Sequence, residues 1–399
     1  MVPIPEGLDI GSFTAAGNRY GTLNQDYVQT EVWWDGGAGA GGVPGRDAVL
    51  IGAVLDGHGL LGESAARLGG AAVVREVRRL VADAMGAGAA GSGAAGAGPE
   101  LHSAGTDPPV AAPEGPAAAA AAAPAAATPA APPPPLRPLA SMPEPELRSL
   151  FDAAFAKAHA TALAIYDSPP STACYPHART GAPEVYCLQT RGGLHLYGAP
   201  PGSRGGAPLR PLEFGATCTV ALLQGRRLVV GNVGDSSAVL GSLDDEGGVT
   251  ARLLTFQHCG LQPTEAARIS EGYGGSVQIM PQDGYMAVSG GMWAGYQLSV
   301  TRALGHKHME SFGVLHQPSV MCVDLRPEDC CVVLASDGVW DVMDPREVVN
   351  RAMDALSGGA GARAAARQLV EDAVSLAQGA PSGDADNTSA VVIALPLGG

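Results

Sequence analysis

Six aspartates stand beside apolar runs in this chain: Asp26 in LNQDYV, Asp56 in VLDGHG, Asp235 in VGDSS, Asp337 and Asp341 in ASDGVWDV, and Asp386 in DADNTSAVV. A lone aspartate at a strand end is ordinarily a turn former or a helix cap. Six of them, in a chain where charged residues make up only 16%, are harder to assign to turns alone. If the strands align in one sheet system, these carboxylates meet at one rim. Gathered carboxylates repel and raise one another's pKa values unless cations neutralise them. All-oxygen sites favour hard cations, so Mg²⁺ or Mn²⁺ is the natural counter-charge. Gly57 and His58 follow Asp56 directly. Asp-Gly and His-Gly pairs are turn chemistry, and that stretch by itself does not separate a turn from a site.

The elements that must carry these residues are legible around them. Val49 to Leu55 is an apolar run ending on Asp56. ATCTVALLQGRRLVVGNVGDSSAVLG predicts two strands joined at Gln224-Gly225 and a third after Asp235, and CCVVLASDGVWDV and SAVVIALPL predict two more. In GESAARLGGAAVVREVRRLVADAM, Val73, Val77, Leu80 and Val81 recur at helical spacing, as do Leu147, Leu150, Phe151, Ala154, Phe155 and Ala158 in PEPELRSLFDAAFAKAHATALAIY. Two late helices are expected over Pro345 to Leu356 and Ala362 to Gln378. Strand runs interspersed with helix pairs point to an α+β layered domain rather than βαβ repetition.

Composition sets the limits. Gly (56) and Pro (32) are abundant in the 399 residues, which marks low-complexity filler. Residues 84–142, nearly all Ala, Gly, Pro and Ser, have too little large apolar surface to offset the entropy of ordering, and are expected to be a disordered insertion. Residues 167–213 form a second, Gly- and Pro-rich insertion with a local hairpin expected. What remains suits one compact domain. The net charge of −15 argues against nucleic acid or an anionic membrane as the main partner. Seven cysteines without a CxxC pair fit a reduced chain with no disulfide framework or zinc site. No basic leader with an apolar core and no membrane span are visible, so a soluble, intracellular protein, cytoplasmic or nuclear, is expected.

In order and character, NQD, VLDGHG, GATCTVALLQGRRLVVGNVGDSSAVL, LSVTRALGH, VVLASDGVWDVM and DADNTSAVVI resemble the metal-dependent type 2C (PPM-type) serine/threonine protein phosphatases. The resemblance implies one domain over residues 8–397, interrupted by the two insertions. Its fold would be a four-layer α-β-β-α sandwich of two antiparallel sheets flanked by helix pairs, with a binuclear metal centre at one rim. It implies that Asp56 bridges two Mg²⁺ or Mn²⁺ ions, that the Gly57 carbonyl binds one, and that Asp337 and Asp386 bind the other. Asp26 would hold metal-bound water, and Asp235, Asp337 and Asp341 would form a third, weaker site. His58 matches the general acid for the leaving seryl or threonyl oxygen. Two cations can present an activated water for in-line attack, so no covalent nucleophile is needed, and no G-x-S-x-G elbow or cysteine-phosphatase signature is found. The implied partner is a phosphorylated protein, handled by a monomer.

Several positions depart from the family pattern. Gly21 stands where many members carry a phosphate-binding arginine, with Arg19 two residues earlier. Gln25 replaces a frequent acid beside Asp26 and is expected to accept from metal-bound water. Leu60 replaces a glycine, and Gln257 an aspartate. His306 ends TRALGH where an aspartate is usual; a change of support around Arg302 or of charge near the site is the expectation, on an exposed loop in preference to a ligand role. Trp293 is read as core packing or a contact to a partner. These departures keep a second reading open, a catalytically weak, partner-binding member of the fold. A small-molecule phosphohydrolase is a third.

Overall fold

The computed structural model describes residues 8–19, 23–33, 48–86, 137–176, 182–198 and 209–396. Ten strands build a sandwich: β1 (Asp9–Ala15), β2 (Tyr27–Trp33), β3 (Val49–Leu55), β4 (Cys218–Gln224), β5 (Arg227–Val233), β6 (Ser237–Leu243), β7 (Val249–Leu253), β8 (Ser319–Asp324), β9 (Asp329–Ala335) and β10 (Thr388–Ala394). One antiparallel sheet has the order β1-β10-β9-β6-β7, the other β8-β5-β4-β3-β2. Six helices accompany them: α1 (Gly62–Met85), α2 (Glu144–Asp167), α3 (Pro263–Tyr273), the single turn α4 (Asp337–Trp340), α5 (Pro345–Ser357) and α6 (Ala362–Gly379).

Three apolar layers hold the sandwich together, and they explain why its central strands are unbroken apolar runs rather than alternating ones. Along β3, Val49, Ile51, Ala53 and Leu55 face α1 and α2. Leu50 and Val54 face the opposite sheet, meeting Val391 and Ile393. On the far side Val333, Ala335, Ala390 and Val392 pack under α5 and α6. A fully buried valine or leucine contributes roughly 1.5–3 kcal/mol, so the helix pairs are held by their apolar stripes. Local signals fix the ends. Gly225 (φ 56) takes the first place of the two-residue β4–β5 turn, where a positive φ matches the strand twist. The Asp344 carboxylate accepts from the Arg346 and Glu347 backbone N–H groups and caps α5, with Pro345 in its first turn.

Three smaller sheets lie beside the sandwich. Gly57–Gly59, Phe214–Ala216 and Leu304–Gly305 form a short one with Phe214–Ala216 in the middle. Val277–Ile279, Met286–Val288 and Gln297–Leu298 form a second, over α3. The third runs through the second insertion: Thr172–Pro176, Pro183–Arg191, Leu194–Gly198 and Arg210–Pro211 make a four-stranded meander, larger than the hairpin expected there. Gly192 and Gly193, both at positive φ, make its tightest turn.

The first insertion needs a corrected boundary. α1 continues to Met85 and closes on Gly86 at φ 90. On the other side Leu139 and Met142 are buried, and the Leu139 N–H donates to Gln224 Oε1 at 2.7 Å. Residues 137–142 are therefore built into the helix–sheet core, because Leu139 supplies apolar surface that the Ala/Pro run lacks. The expectation of disorder for residues 87–136 lies outside the described residues. Among the described residues, no helix is long and apolar enough to cross a membrane.

Candidate metal centre

All six aspartates reach the same rim, and they come from both sheets. Asp26 precedes β2 and Asp56 follows β3 in one sheet. Asp337 follows β9 and Asp386 precedes β10 in the other. Asp235 sits where β5 of the first sheet crosses to β6 of the second, and Asp341 closes the α4 turn that Asp337 opens. Mutual repulsion records their proximity. Burial, then the Asp56 charge, pushes the Asp26 carboxyl well above its usual range. Burial followed by Asp56, Asp235, Asp386 and Asp341 does the same to Asp337. Asp235 is pushed up to about 6, chiefly by burial, and Asp341 and Asp386 are raised by burial and by Asp56. Asp26 Oδ1 and Asp235 Oδ1 are buried without a hydrogen-bond partner. An all-oxygen set with orphaned, mutually repelling carboxylates suits hard divalent cations.

Short-range hydrogen bonds aim these groups. The Asp56 N–H donates to Thr217 Oγ1 and the Thr217 N–H to the Asp56 carbonyl, both at 2.9 Å. Ser336 Oγ donates to Asp26 Oδ2 at 2.8 Å and accepts from the Ser389 N–H. The Gln25 N–H donates to Asn387 Oδ1. The Gln25 amide nitrogen is anchored within the chain: its Nε2 donates to the Gly59 carbonyl at 2.8 Å, tying down the DGHG turn. Thr217, Ser336, Asn387 and Ser389 went unremarked in the sequence, although the last three lie beside Asp337 or Asp386 in ASD and DNTS.

Gly57 is required by backbone contact. A Cβ there would lie 2.4 Å from the Gly62 carbonyl oxygen and 2.7 Å from that of Gln25. Gly59, at φ 80, supplies the left-handed residue of the turn, so Leu60 needs no special conformation and packs into the helix-side core. His58 Nε2 lies 3.5 Å from Asp56 Oδ2. Burial would lower the His58 pKa, but Asp56, with Asp235 and Asp386, raises it to about 9. At the mouth of the site, Arg19 Nη1 donates to Asp386 Oδ2 at 2.7 Å with its side chain 53% exposed. Arg19 is thus the arginine that reaches the centre, from a segment held against residues 383–385 by Asn18 and by its own N–H.

His306 overturns the expectation of an exposed loop. It is fully buried, at φ 53. Nor does it support Arg302, whose guanidinium donates to Glu265 Oε1 at 2.6 Å and to the Gln317 carbonyl. Gln257 is exposed, beside a cavity of about 700 Å³ that Asp341 and Trp340 also line. Trp293 is partly buried against the cluster over α3, its ring 5.0 Å from that of His308.

Among the described residues, two groups bring ligand-type atoms close enough to share a cation: Asp56, His58 and Asp235, and, apart from the rim, His159, Glu310 and His316. In the second, the Gly305 N–H donates to His159 Nδ1 at 3.2 Å. Burial keeps this ring below its usual pKa, so its proton sits on Nε2 and faces Glu310 Oε1 at 2.7 Å. That nitrogen has no lone pair for a metal. His159 and Glu310 are a hydrogen-bonded anchor, with the His316 ring stacked on His159 at 4.1 Å between centroids, tying α2 to the segment that carries His306.

A sequence model described as Protein phosphatase 2C matches residues 204–380. That span holds Asp235, Asp337 and Asp341; Asp26, Asp56, Gly57, His58 and Asp386 lie outside it and join them only in the fold. The chain is 37% identical over 140 residues to "Probable protein phosphatase 2C 12" of Oryza sativa subsp. japonica and 34% identical over 163 residues to "Probable protein phosphatase 2C 41" of Arabidopsis thaliana. It spans 35% and 45% of the length of these two curated relatives, and the matches cover 34% and 41% of the chain itself. A solved serine-threonine phosphatase 2C from Toxoplasma gondii superposes with a TM-score of 0.60 at 20% identity, covering 98% of this chain and 97% of that one, a likeness of fold.

Proposed function

The chain belongs to the protein phosphatase 2C family, and from that premise we propose that it is a metal-dependent protein serine/threonine phosphatase. It hydrolyses phosphoserine and phosphothreonine by direct attack of water, without a covalent intermediate. The observation that carries the reading is the convergence of six aspartates from two sheets on one rim, with His58 and Arg19 beside them. Asp56, the Gly57 carbonyl, Asp337 and Asp386 would hold two Mg²⁺ or Mn²⁺ ions, and Asp235, Asp337 and Asp341 a third, weaker one. When bound, the cations ionise the attacking water and neutralise phosphate charge. The chain's own residues do the rest. Asp26, held by Ser336, orients water at the rim. Arg19 is the cation within reach of a phosphate that arrives at Asp386. His58 Nε2 donates the proton that lets the alkoxide depart, a contribution of typically 10²–10⁴-fold for a placed acid.

The test is phosphate release from a phosphothreonine peptide with and without Mn²⁺. Wild-type turnover is expected only with the metal. Asp56→Ala and Asp337→Ala are each expected to lose about three orders of magnitude, equivalent to several kcal/mol of transition-state stabilisation. No turnover above these variants would leave the partner-binding reading in its place, and metal-independent turnover would overturn the metal-dependent mechanism.

A further inference from the structure

Four polar atoms on three neighbouring residues are buried without a hydrogen-bond partner: His58 Nδ1, His306 Nδ1 and Nε2, and Glu213 Oε1. The short sheet gathers them. His58 pairs with Gly215 on one side of the middle strand, and Gly305 pairs with Gly215 on the other. His306 follows, and its φ of 53 makes it the one non-glycine among the described residues in the left-handed region. Its ring lies over Gly215, where a Cβ would come within 2.3 Å of Cδ2 and 2.7 Å of Nε2. Directly paired residues present their side chains to the same face of a sheet, so that ring shares its face with His58. The two centroids are 6.1 Å apart. On its other side His306 Nδ1 is 3.6 Å from Glu213 Oε1, while Glu213 Oε2 accepts from His308 Nδ1 at 2.7 Å.

Left-handed backbone and unpaired ring nitrogens both cost stability, and such costs persist where a site uses them. We propose that His306 is a positioning residue for the proton donor: it gives its Nδ1–H to Glu213, accepts the Nδ1–H of His58 on its Nε2, and so aims His58 Nε2 at the leaving oxygen. This rests on the phosphatase reading and deepens it. The separations are longer than hydrogen bonds, as catalytic contacts often are before substrate binds and tightens them. A carboxylate behind an imidazole fixes tautomer and orientation in many active sites. Burial lowers the His306 pKa and keeps the ring neutral, the form with one donor and one acceptor nitrogen.

The experiment compares two substrates on the Mn²⁺-loaded full chain. A phosphothreonine peptide has an alkoxide leaving group that must be protonated; the phenolate of para-nitrophenyl phosphate departs without a proton. His306→Phe is expected to lower kcat on the peptide by about 10–100-fold, the range for a lost orienting partner, with KM little changed. Its loss on the aryl ester should be smaller by about tenfold. His306→Asn, which tolerates the left-handed backbone, and Glu213→Gln should show the same skew. Equal losses on both substrates, or no loss on either, overturn the proposal while leaving the phosphatase reading intact. Wild-type inactivity on both with Mn²⁺ overturns the two together. A second measurement is independent of turnover and of variant folding: imidazole ¹⁵N NMR of the metal-free wild type should find His306 protonated at Nδ1 with a bare Nε2. An Nε2–H tautomer sinks the proposal.

Discussion

Arg19 reaches Asp386 from two residues before the position where Gly21 replaces a phosphate-binding arginine. Its guanidinium is half exposed, so it can leave the carboxylate for an incoming phosphate, to which a bidentate pair is geometrically suited. Arg19→Ala is expected to raise KM for the phosphothreonine peptide by about tenfold, the 1.5–3 kcal/mol scale of a charged hydrogen bond discounted for exposure, with kcat changed less. An unchanged KM in steady-state kinetics would remove Arg19 from substrate binding. The aspartates and His58 were legible in the sequence because a carboxylate beside an apolar run is conspicuous where charge is scarce. His306 was not. Its burial depends on Gly215, ninety residues away, leaving a space where any side chain would collide with the ring. The anchoring of Gln25 was hidden for a similar reason, since only the folded turn brings the Gly59 carbonyl to its amide nitrogen.

The central strands follow from apolar runs and the helix pairs from helical spacing, the predicted late helices differing from α5 and α6 by a residue at the C-terminal end, whereas β1, β2, β7, β8 and α3 were not singled out. Two of the three small sheets were less visible, because two- and three-residue strands carry no period. Between them, Glu265 on α3 ties several segments together, accepting from Arg268, Thr301 Oγ1 and Arg302. Burial alone would raise this carboxyl, but the hydrogen bonds from Arg302, Arg268 and Thr301 outweigh it and hold it at about 2. A folded pKa below the unfolded value means stability that is fully present above the unfolded pKa and is lost as pH falls through about 2. Glu265→Gln should therefore cost about 2–4 kcal/mol at pH 7 and distinctly less near pH 3. Urea unfolding at the two pH values reads this, and a difference that does not shrink would break the assignment.

The Ala/Pro insertion enters and leaves at the far end of α1 from the rim. Gly62 at the start of that helix touches the Gly57 turn, and its 24 residues place Met85 roughly 36 Å away at 1.5 Å per residue. Removing residues 87–136 should leave metal-dependent turnover within about threefold and Tm nearly unchanged. Extending the deletion through Met142 should destabilise by about 2–5 kcal/mol, as for loss of a large core side chain, because Leu139 goes with it. Thermal melts and phosphate release on the two deletions separate these outcomes. The expected insertion boundary at residue 142 overran into the core, since one buried leucine carries no periodic signal. The sandwich itself has a further consequence. The carboxylates come from both sheets, so the gap between the layers would be one dimension of the proposed cation cage. At Gly52 a Cβ would lie 2.8 Å from Val391 Cγ1 across that gap. The interior packing of the sandwich thus works as a calliper, and a wedge driven in far from the rim would detune cation affinity without altering a single donor.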